Sequence, residues 1–159
     1  MDLVCPAPDE LLDRWLAEDI GRGDLTAAAL MGQTGFAHWI AKQPGRFCGG
    51  PLVERLFQRL DSRVGVRLLR DDGGAVEVGD RLLELEGPAP ALVAGERTAL
   101  NLAMRLSGIA TVTAELVAQL QGTGVRLADT RKTTPGLRLM EKYAVRCGGG
   151  INHRMGLDD

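Results

Sequence analysis

The stretch Val125-Arg126-Leu127-Ala128-Asp129-Thr130-Arg131-Lys132-Thr133-Thr134-Pro135-Gly136 decides the fold of this chain. A short apolar run, a loop carrying two cations and a Thr-Thr-Pro helix start predict a β-loop-α unit: a buried strand over 125–129, a loop over 130–134 and a helix over 135–147, capped by Thr133 or Thr134. In such a unit Arg131 and Lys132 stand at the carboxyl end of a strand, where α/β sheets bind ligands. The N–H groups opening the next helix favour a carboxylate or phosphate. Arg131 can hold a carboxylate by two parallel hydrogen bonds, whereas Lys132 acts as a movable point charge. The same charges can also be read as a solvated basic loop; their position at a strand end favours a site.

One helix-length later comes Gly148-Gly149-Gly150-Ile151-Asn152-His153-Arg154. Gly148 is expected to close the helix. Ending a helix takes one glycine, and each further one costs backbone entropy. The surplus predicts a close approach of backbone to a ligand, with His153 and Arg154 delivered directly after it. A lone His beside an Arg is more often a surface residue than a catalytic one, so no residue is assigned to the chemical step.

Charge distribution agrees with a small anionic ligand. The whole chain of 159 residues has a formal charge of −2, yet residues 126–154 hold seven Lys or Arg (126, 131, 132, 138, 142, 146, 154) against Asp129 and Glu141. That segment is +5 and the remainder −7. A local positive field in an acidic protein argues against a nucleic-acid or membrane partner. Three cysteines, Cys5, Cys48 and Cys147, lie far apart without any C-x-x-C spacing, so neither a disulfide framework nor a metal site is expected, and a cytoplasmic location is. No stretch approaches about 20 apolar residues, and residues 1–6 show no basic region followed by an apolar run, so neither membrane insertion nor secretion is expected.

Outward from the decisive stretch, periodicity predicts helices over 9–20 and 52–60, a loop over 21–26, and strands over 36–42, 64–70, 75–78 and 81–86. Gly87-Pro88-Ala89-Pro90 is expected to break regular structure. A helix over 94–121, interrupted at Ser107-Gly108, follows, with Leu100, Met104, Val112, Leu116 and Leu120 as its apolar positions. These elements give an α/β chain with a sandwich domain over 1–90, linking helices over 91–122 and the start of a barrel domain over 123–159. The glycine loops match neither nucleotide-binding fingerprint. The segment 74–87 looks like half of a lipoyl or biotinyl carrier domain, but lacks the lysine that would take the prosthetic group.

Four strings together carry a resemblance. They are Ala17-Glu18-Asp19-Ile20-Gly21-Arg22-Gly23-Asp24-Leu25-Thr26, Gly95-Glu96-Arg97-Thr98-Ala99-Leu100-Asn101-Leu102 with Leu106-Ser107-Gly108-Ile109-Ala110-Thr111, the segment 129–136, and Lys142-Tyr143-Ala144-Val145-Arg146-Cys147 running through 148–157. The chain resembles the amino-terminal portion of quinolinate phosphoribosyltransferase, the decarboxylating enzyme of NAD biosynthesis. That resemblance implies an N-terminal mixed α/β sandwich followed by the first units of a parallel α/β barrel, in a homodimer. It also implies the reaction of quinolinate with phosphoribosyl pyrophosphate to nicotinate mononucleotide, pyrophosphate and carbon dioxide, with Mg2+. By the same resemblance Arg131, His153 and Arg154 bind the quinolinate carboxylates, Lys132 lies near the anionic substrates, and Arg97 reaches into the partner subunit's site. A paralogue associated with molybdate transport shares the Arg-Lys-Thr loop, but the Glu96-Arg97 pair and the Asn152-His153-Arg154 string favour the decarboxylating enzyme.

A barrel takes roughly 30 residues per βα unit, so the residues after Gly108 are expected to leave it open, without the acids that hold ribose and magnesium. A truncated chain of weak or no activity is the resulting expectation. Its alternatives are a non-catalytic partial subunit or interaction module, and a small-anion binding protein. The exposed edge of an open barrel predicts association.

Overall fold

Leu11, Leu12, Trp15 and Leu16 recur at helical spacing and line one side of α1 (Asp9–Ile20), which Gly21 terminates as expected. The computed structural model describes residues 6–158; Cys5, the rest of residues 1–5 and Asp159 lie outside the described residues. After α1 the predicted loop instead includes a single helical turn, α2 (Leu25–Ala28), because the Asp24 carboxylate accepts hydrogen bonds from the Thr26 and Ala27 N–H groups at 2.8 and 3.1 Å.

Strand β1 (Thr34–Ile40) alternates exposed and half-buried residues, directing Ala37 and Trp39 towards the core. Two-residue β2 (Gly45–Arg46) then leads into α3 (Gly50–Leu60), which buries Leu52, Val53, Leu56 and Phe57. Each such side chain contributes about 1.5–3 kcal/mol through burial. β3 (Gly65–Leu68), β4 (Ala75–Val76) and β5 (Arg81–Pro88) complete two antiparallel sheets, β1-β5-β3 and β2-β4. In the larger sheet β5 is central, with Trp39 opposite Leu83 and Val66 opposite Leu85. The prolines do not interrupt regular structure here: Pro88 is the last residue of β5 and Pro90 lies in the first turn of α4 (Ala89–Gln119), where no N–H donor is required.

Helix α4 is continuous through Ser107-Gly108, contrary to the sequence expectation. Its buried face also differs. Leu92, Ala99, Leu102, Ala103, Leu106 and Ala110 face the core, while Met104, Val112 and Leu116 are exposed. Backbone packed against the helix explains the choice of small residues. A Cβ on Gly49 would come 3.3 Å from Ala103 Cα, and one on Gly148 would come 2.5 Å from the Ala110 carbonyl oxygen. At Ala103 and Ala110 larger side chains do not fit, and Met104 and Val112 stand on the exposed side.

The last helix, α5 (Arg138–Cys147), starts three residues later than expected, and neither Thr133 nor Thr134 caps it; a turn over 134–137 intervenes. It adds Met140, Tyr143, Ala144 and Cys147 to the same core as α1, α3 and β5. The expected buried strand over 125–129 is instead largely exposed, with Val125 at 61%. Only Ala128 pairs, in a parallel bridge with Ile151, flanked by hydrogen bonds from Asp129 N to Ile151 O and from Ile151 N to Leu127 O. Among the described residues no further strand covers this pair. The whole is a mixed α/β fold with no closed sheet among those residues, and none of its helices is long and apolar enough to cross a membrane.

Candidate functional site

The bridge between Ala128 and Ile151 sets the geometry of the cationic residues. Because the two segments run parallel, the chain leaves both at the same end, into Arg131 and Lys132 on one side and His153 and Arg154 on the other. Four of the five predicted site residues are thereby brought to one edge. Lys132, His153 and Arg154 are exposed and Arg131 is half-buried, so the arrangement is an open shelf rather than an enclosed pocket. The hollows beside Arg55 and Arg59, and beside Asp24 and Val93, are lined by none of the four. Arg97 lies apart, exposed on α4.

Three residues of α5, spaced i, i+3 and i+4 on one helical face, hold the shelf in shape. Arg138 donates to Thr133 Oγ1 at 3.1 Å, to the Arg131 carbonyl at 3.4 Å and to the Met155 carbonyl at 2.9 Å, clasping both loops. Glu141 accepts from the Thr134 N–H at 3.1 Å and from the guanidinium of Arg105 on α4. Burial pushes the Glu141 carboxyl up, but the hydrogen bonds from Arg105 and Thr134 together outweigh it and leave the group below its ordinary value. Lys142 is 1% exposed and pairs with Asp129, itself 7% exposed.

Lys142 and Glu141 belong to the segment whose charge sum suggested a positive field, yet both are neutralised by partners. On the shelf, Arg131, Lys132 and Arg154 form no ion pair among the described residues. Arg131 Nε is buried and has no acceptor among the described residues. An orphaned buried donor costs free energy unless water or a ligand oxygen satisfies it.

The glycine run has a different basis from the one expected. Gly148 lets α5 pass close to α4, since its Cβ would stand 2.5 Å from both the Ala110 oxygen and Thr113 Cβ. Gly149 has φ +90°, a left-handed turn out of the helix, and a Cβ on Gly150 would meet Val145 Cγ1 at 2.7 Å. Packing and turning therefore account for all three glycines without a ligand.

A second polar cluster lies under the end of α5. Asp72 Oδ1 accepts from the Gly49 and Gly50 N–H groups at 2.9 Å each, at the start of α3, and Oδ2 accepts from the Tyr143 hydroxyl at 2.6 Å. Burial first, and the bond to Asp72 second, push the Tyr143 phenol far above its ordinary value. Cys48 and Cys147, distant in sequence, meet here: their sulfurs and an Asp72 oxygen lie within 4.8 Å of one another. That contact was not visible in the cysteine spacing. The carboxylate is already occupied by backbone and phenol donors, which makes the cluster a hydrogen-bonded hub. The magnesium expected from the resemblance needs free oxygen ligands. Beside the shelf, Asp129 and Glu141 are bound by Lys142 and Arg105 and do not fit that role.

Sequence reading missed Arg105, Arg138, Glu141 and Lys142 as parts of the site. Their signal was the i, i+3, i+4 spacing of three charged residues on the helix directly after a cationic loop. Asp72 carried no comparable signal.

Comparisons with known proteins bear on the same residues. The model for "Quinolinate phosphoribosyl transferase, N-terminal domain" matches residues 24–107, and that for the C-terminal domain of the same name matches 109–159. A probable nicotinate-nucleotide pyrophosphorylase [carboxylating] of Bacillus subtilis is 50% identical over 151 residues, covering 94% of this chain and 52% of the relative. Quinolinate phosphoribosyltransferase [decarboxylating] 2b, mitochondrial, of Nicotiana tabacum is 40% identical over 94% of this chain and 43% of its own length. Among solved structures, the nicotinate-nucleotide pyrophosphorylase of Francisella tularensis superposes with a TM-score of 0.90 at 39% identity, over 100% of this chain and 59% of that one. The chain spans about half the length of the curated relatives it matches.

Proposed function

Because this chain belongs to the quinolinate phosphoribosyltransferase family, we propose that its cationic shelf holds quinolinate for phosphoribosyl transfer and decarboxylation in NAD biosynthesis. The single observation that carries this is the convergence of Arg131, Lys132, His153 and Arg154 at one end of two parallel-bridged segments, with Arg131 Nε unpaired.

Quinolinate carries two adjacent carboxylates, and a dianion leaving water needs charged donors for both. Arg131 and Arg154, arriving from separate loops, each offer a planar fork for one of them. His153 adds a ring N–H donor for the carboxylates, and Lys132 adds charge near the anionic substrates. In the reaction the ring nitrogen bonds to the ribosyl carbon while pyrophosphate leaves with the bonding electrons. The carboxylate next to that nitrogen then departs as carbon dioxide. Its electron pair stays on the ring carbon, stabilised by the adjacent positive nitrogen, until a proton takes its place. The chain's residues bind, orient and stabilise charge, which is what such a transfer asks of a protein. Magnesium would enter with the pyrophosphate, whose oxygens suit it.

Arg97, exposed on α4 beside the exposed Asn101, Met104 and Val112, supports the reading of a homodimer in which this face meets a partner. Cys48 and Cys147 are buried and not joined in a disulfide, which suits a reducing, cytoplasmic setting.

The test is turnover. Incubation of the chain with quinolinate, phosphoribosyl pyrophosphate and magnesium is expected to yield nicotinate mononucleotide and carbon dioxide weakly, with that yield abolished in Arg131→Ala. Product formed equally well by Arg131→Ala would overturn the assignment of the shelf. Absence of any product would favour the alternative of a non-catalytic partial subunit, for which the exposed apolar face of α4 is the motivating observation.

A further inference from the structure

We infer that the buried Lys142–Asp129 ion pair is a positioning device, which fixes the peptide of His153 and thereby sets the two halves of the shelf relative to each other. What it positions rests on the reading above; that it positions does not. Asp129 stands two residues before Arg131, and His153 stands immediately before Arg154. The His153 peptide is held at both ends: its N–H donates to Asp129 Oδ1 at 2.8 Å, and its carbonyl accepts from Lys142 Nζ at 3.0 Å. Lys142 Nζ also donates to Asp129 Oδ1. With its side-chain amide turned so that nitrogen faces the acceptors, Asn152 donates to Asp129 Oδ2 and to the Lys142 carbonyl, both at 2.9 Å. Both carboxylate oxygens of Asp129 are thus used, one for the helix and the His153 peptide, the other for Asn152.

Fold stability alone does not call for such a pair. Desolvating two charges offsets most of their attraction, and apolar residues of similar volume replace buried pairs with little loss. The parallel bridge joins Ala128 to Ile151 and leaves the next residues free to diverge. A buried ion pair with directional hydrogen bonds opposes that divergence, because any shift of the His153 backbone strips its N–H and carbonyl, and the groups of the pair that bind them, of hydrogen bonds in the interior. The Lys142 and Asp129 side chains are buried and spent on each other and on the His153 backbone, so they are positioning residues and not catalytic ones.

The experiment compares wild-type chain with Asp129→Leu/Lys142→Met, which replaces the pair by apolar side chains, and with Lys142→Met alone. The double variant is expected to keep the wild-type circular dichroism and cooperative unfolding, while the His153 amide, followed by nuclear magnetic resonance, exchanges with solvent at least tenfold faster. Quinolinate binding by calorimetry is expected to weaken at least tenfold in the same variant. Wild-type exchange at His153 would overturn the inference, as would unchanged quinolinate affinity in a double variant whose parent binds it. A double variant that cannot fold would assign the pair to stability and overturn it too. If the wild-type chain binds no quinolinate, the proposed function fails while the amide exchange still decides the positioning role.

Discussion

Replacing Gly148 by alanine separates the two explanations of the glycine run. The position has φ −78°, which alanine adopts freely, so backbone strain does not enter. The added Cβ would stand 2.5 Å from the Ala110 carbonyl oxygen, 2.5 Å from Thr113 Cβ and 2.8 Å from Thr113 Cγ2. These lie about 1 Å inside the ~3.5–4.0 Å of ordinary heavy-atom contact. Relief requires α5 to back away from α4, at an overpacking cost of about 1–3 kcal/mol. Alanine's lower backbone entropy loss offsets about 0.5–1 kcal/mol. The net expectation is a loss of about 1–2 kcal/mol by those two estimates, read as a lower urea midpoint with unchanged slope. Gly108→Ala is the control. It lies inside α4 with nothing within 4 Å of its Cβ, and should gain about 0.5–1 kcal/mol. A neutral or stabilising Gly148→Ala would refute the close-packing account, and lost ligand binding with unchanged stability would restore the ligand account.

Three further outcomes follow from the polar clusters. Tyr143 is the only tyrosine, so a spectrophotometric titration has one reporter. Its phenol is held well above the ordinary 10.0, so this contribution to stability is complete below that pH and lost as pH rises; tyrosinate should appear only with alkaline unfolding, and reversible ionisation in the folded chain near pH 10.0 would contradict the buried bond to Asp72. Asp72→Ala strands the Gly49 and Gly50 N–H groups and the Tyr143 hydroxyl. At about 1–3 kcal/mol per orphaned buried group, urea unfolding should show a loss of at least ~3 kcal/mol, and a loss under ~1 kcal/mol would remove Asp72 as the hub. Glu141 titrates below its ordinary 4.5, so its contribution is present above that pH and lost as pH falls through the lower folded value; Glu141→Gln should flatten this acid limb of the stability curve, and an unchanged limb would count against the Arg105 and Thr134 bonds.

Much of the fold was legible because local periodicity and burial agreed. Leu12 and Leu16, Leu52 to Phe57, and the alternation ending at Leu85 each point to the face that the structure buries. Helix α4 was misread where tertiary packing overrides side-chain size. Gly108 looks like a break but is a tolerated helix glycine, and Ala103 and Ala110 are core because Gly49 and Gly148 press against them. Hydrophobicity favoured Met104 and Val112, which are exposed. The cationic loops were legible as chemistry, since Arg131 and Arg154 each flank a predicted strand or turn. Their convergence was not legible, because it depends on the bridge between Ala128 and Ile151 and on Lys142, whose charge read as free when it is paired.

Titration of the chain with quinolinate by calorimetry, alongside nicotinate and the variants Arg131→Ala and Arg154→Ala, tests the shelf most directly. One saturable quinolinate site is expected, weakened at least ~10-fold by either substitution and by rising salt, with nicotinate bound more weakly for want of its second carboxylate. Equal heats for both acids, or a quinolinate affinity untouched by loss of either arginine, would contradict a dicarboxylate site built from these two loops.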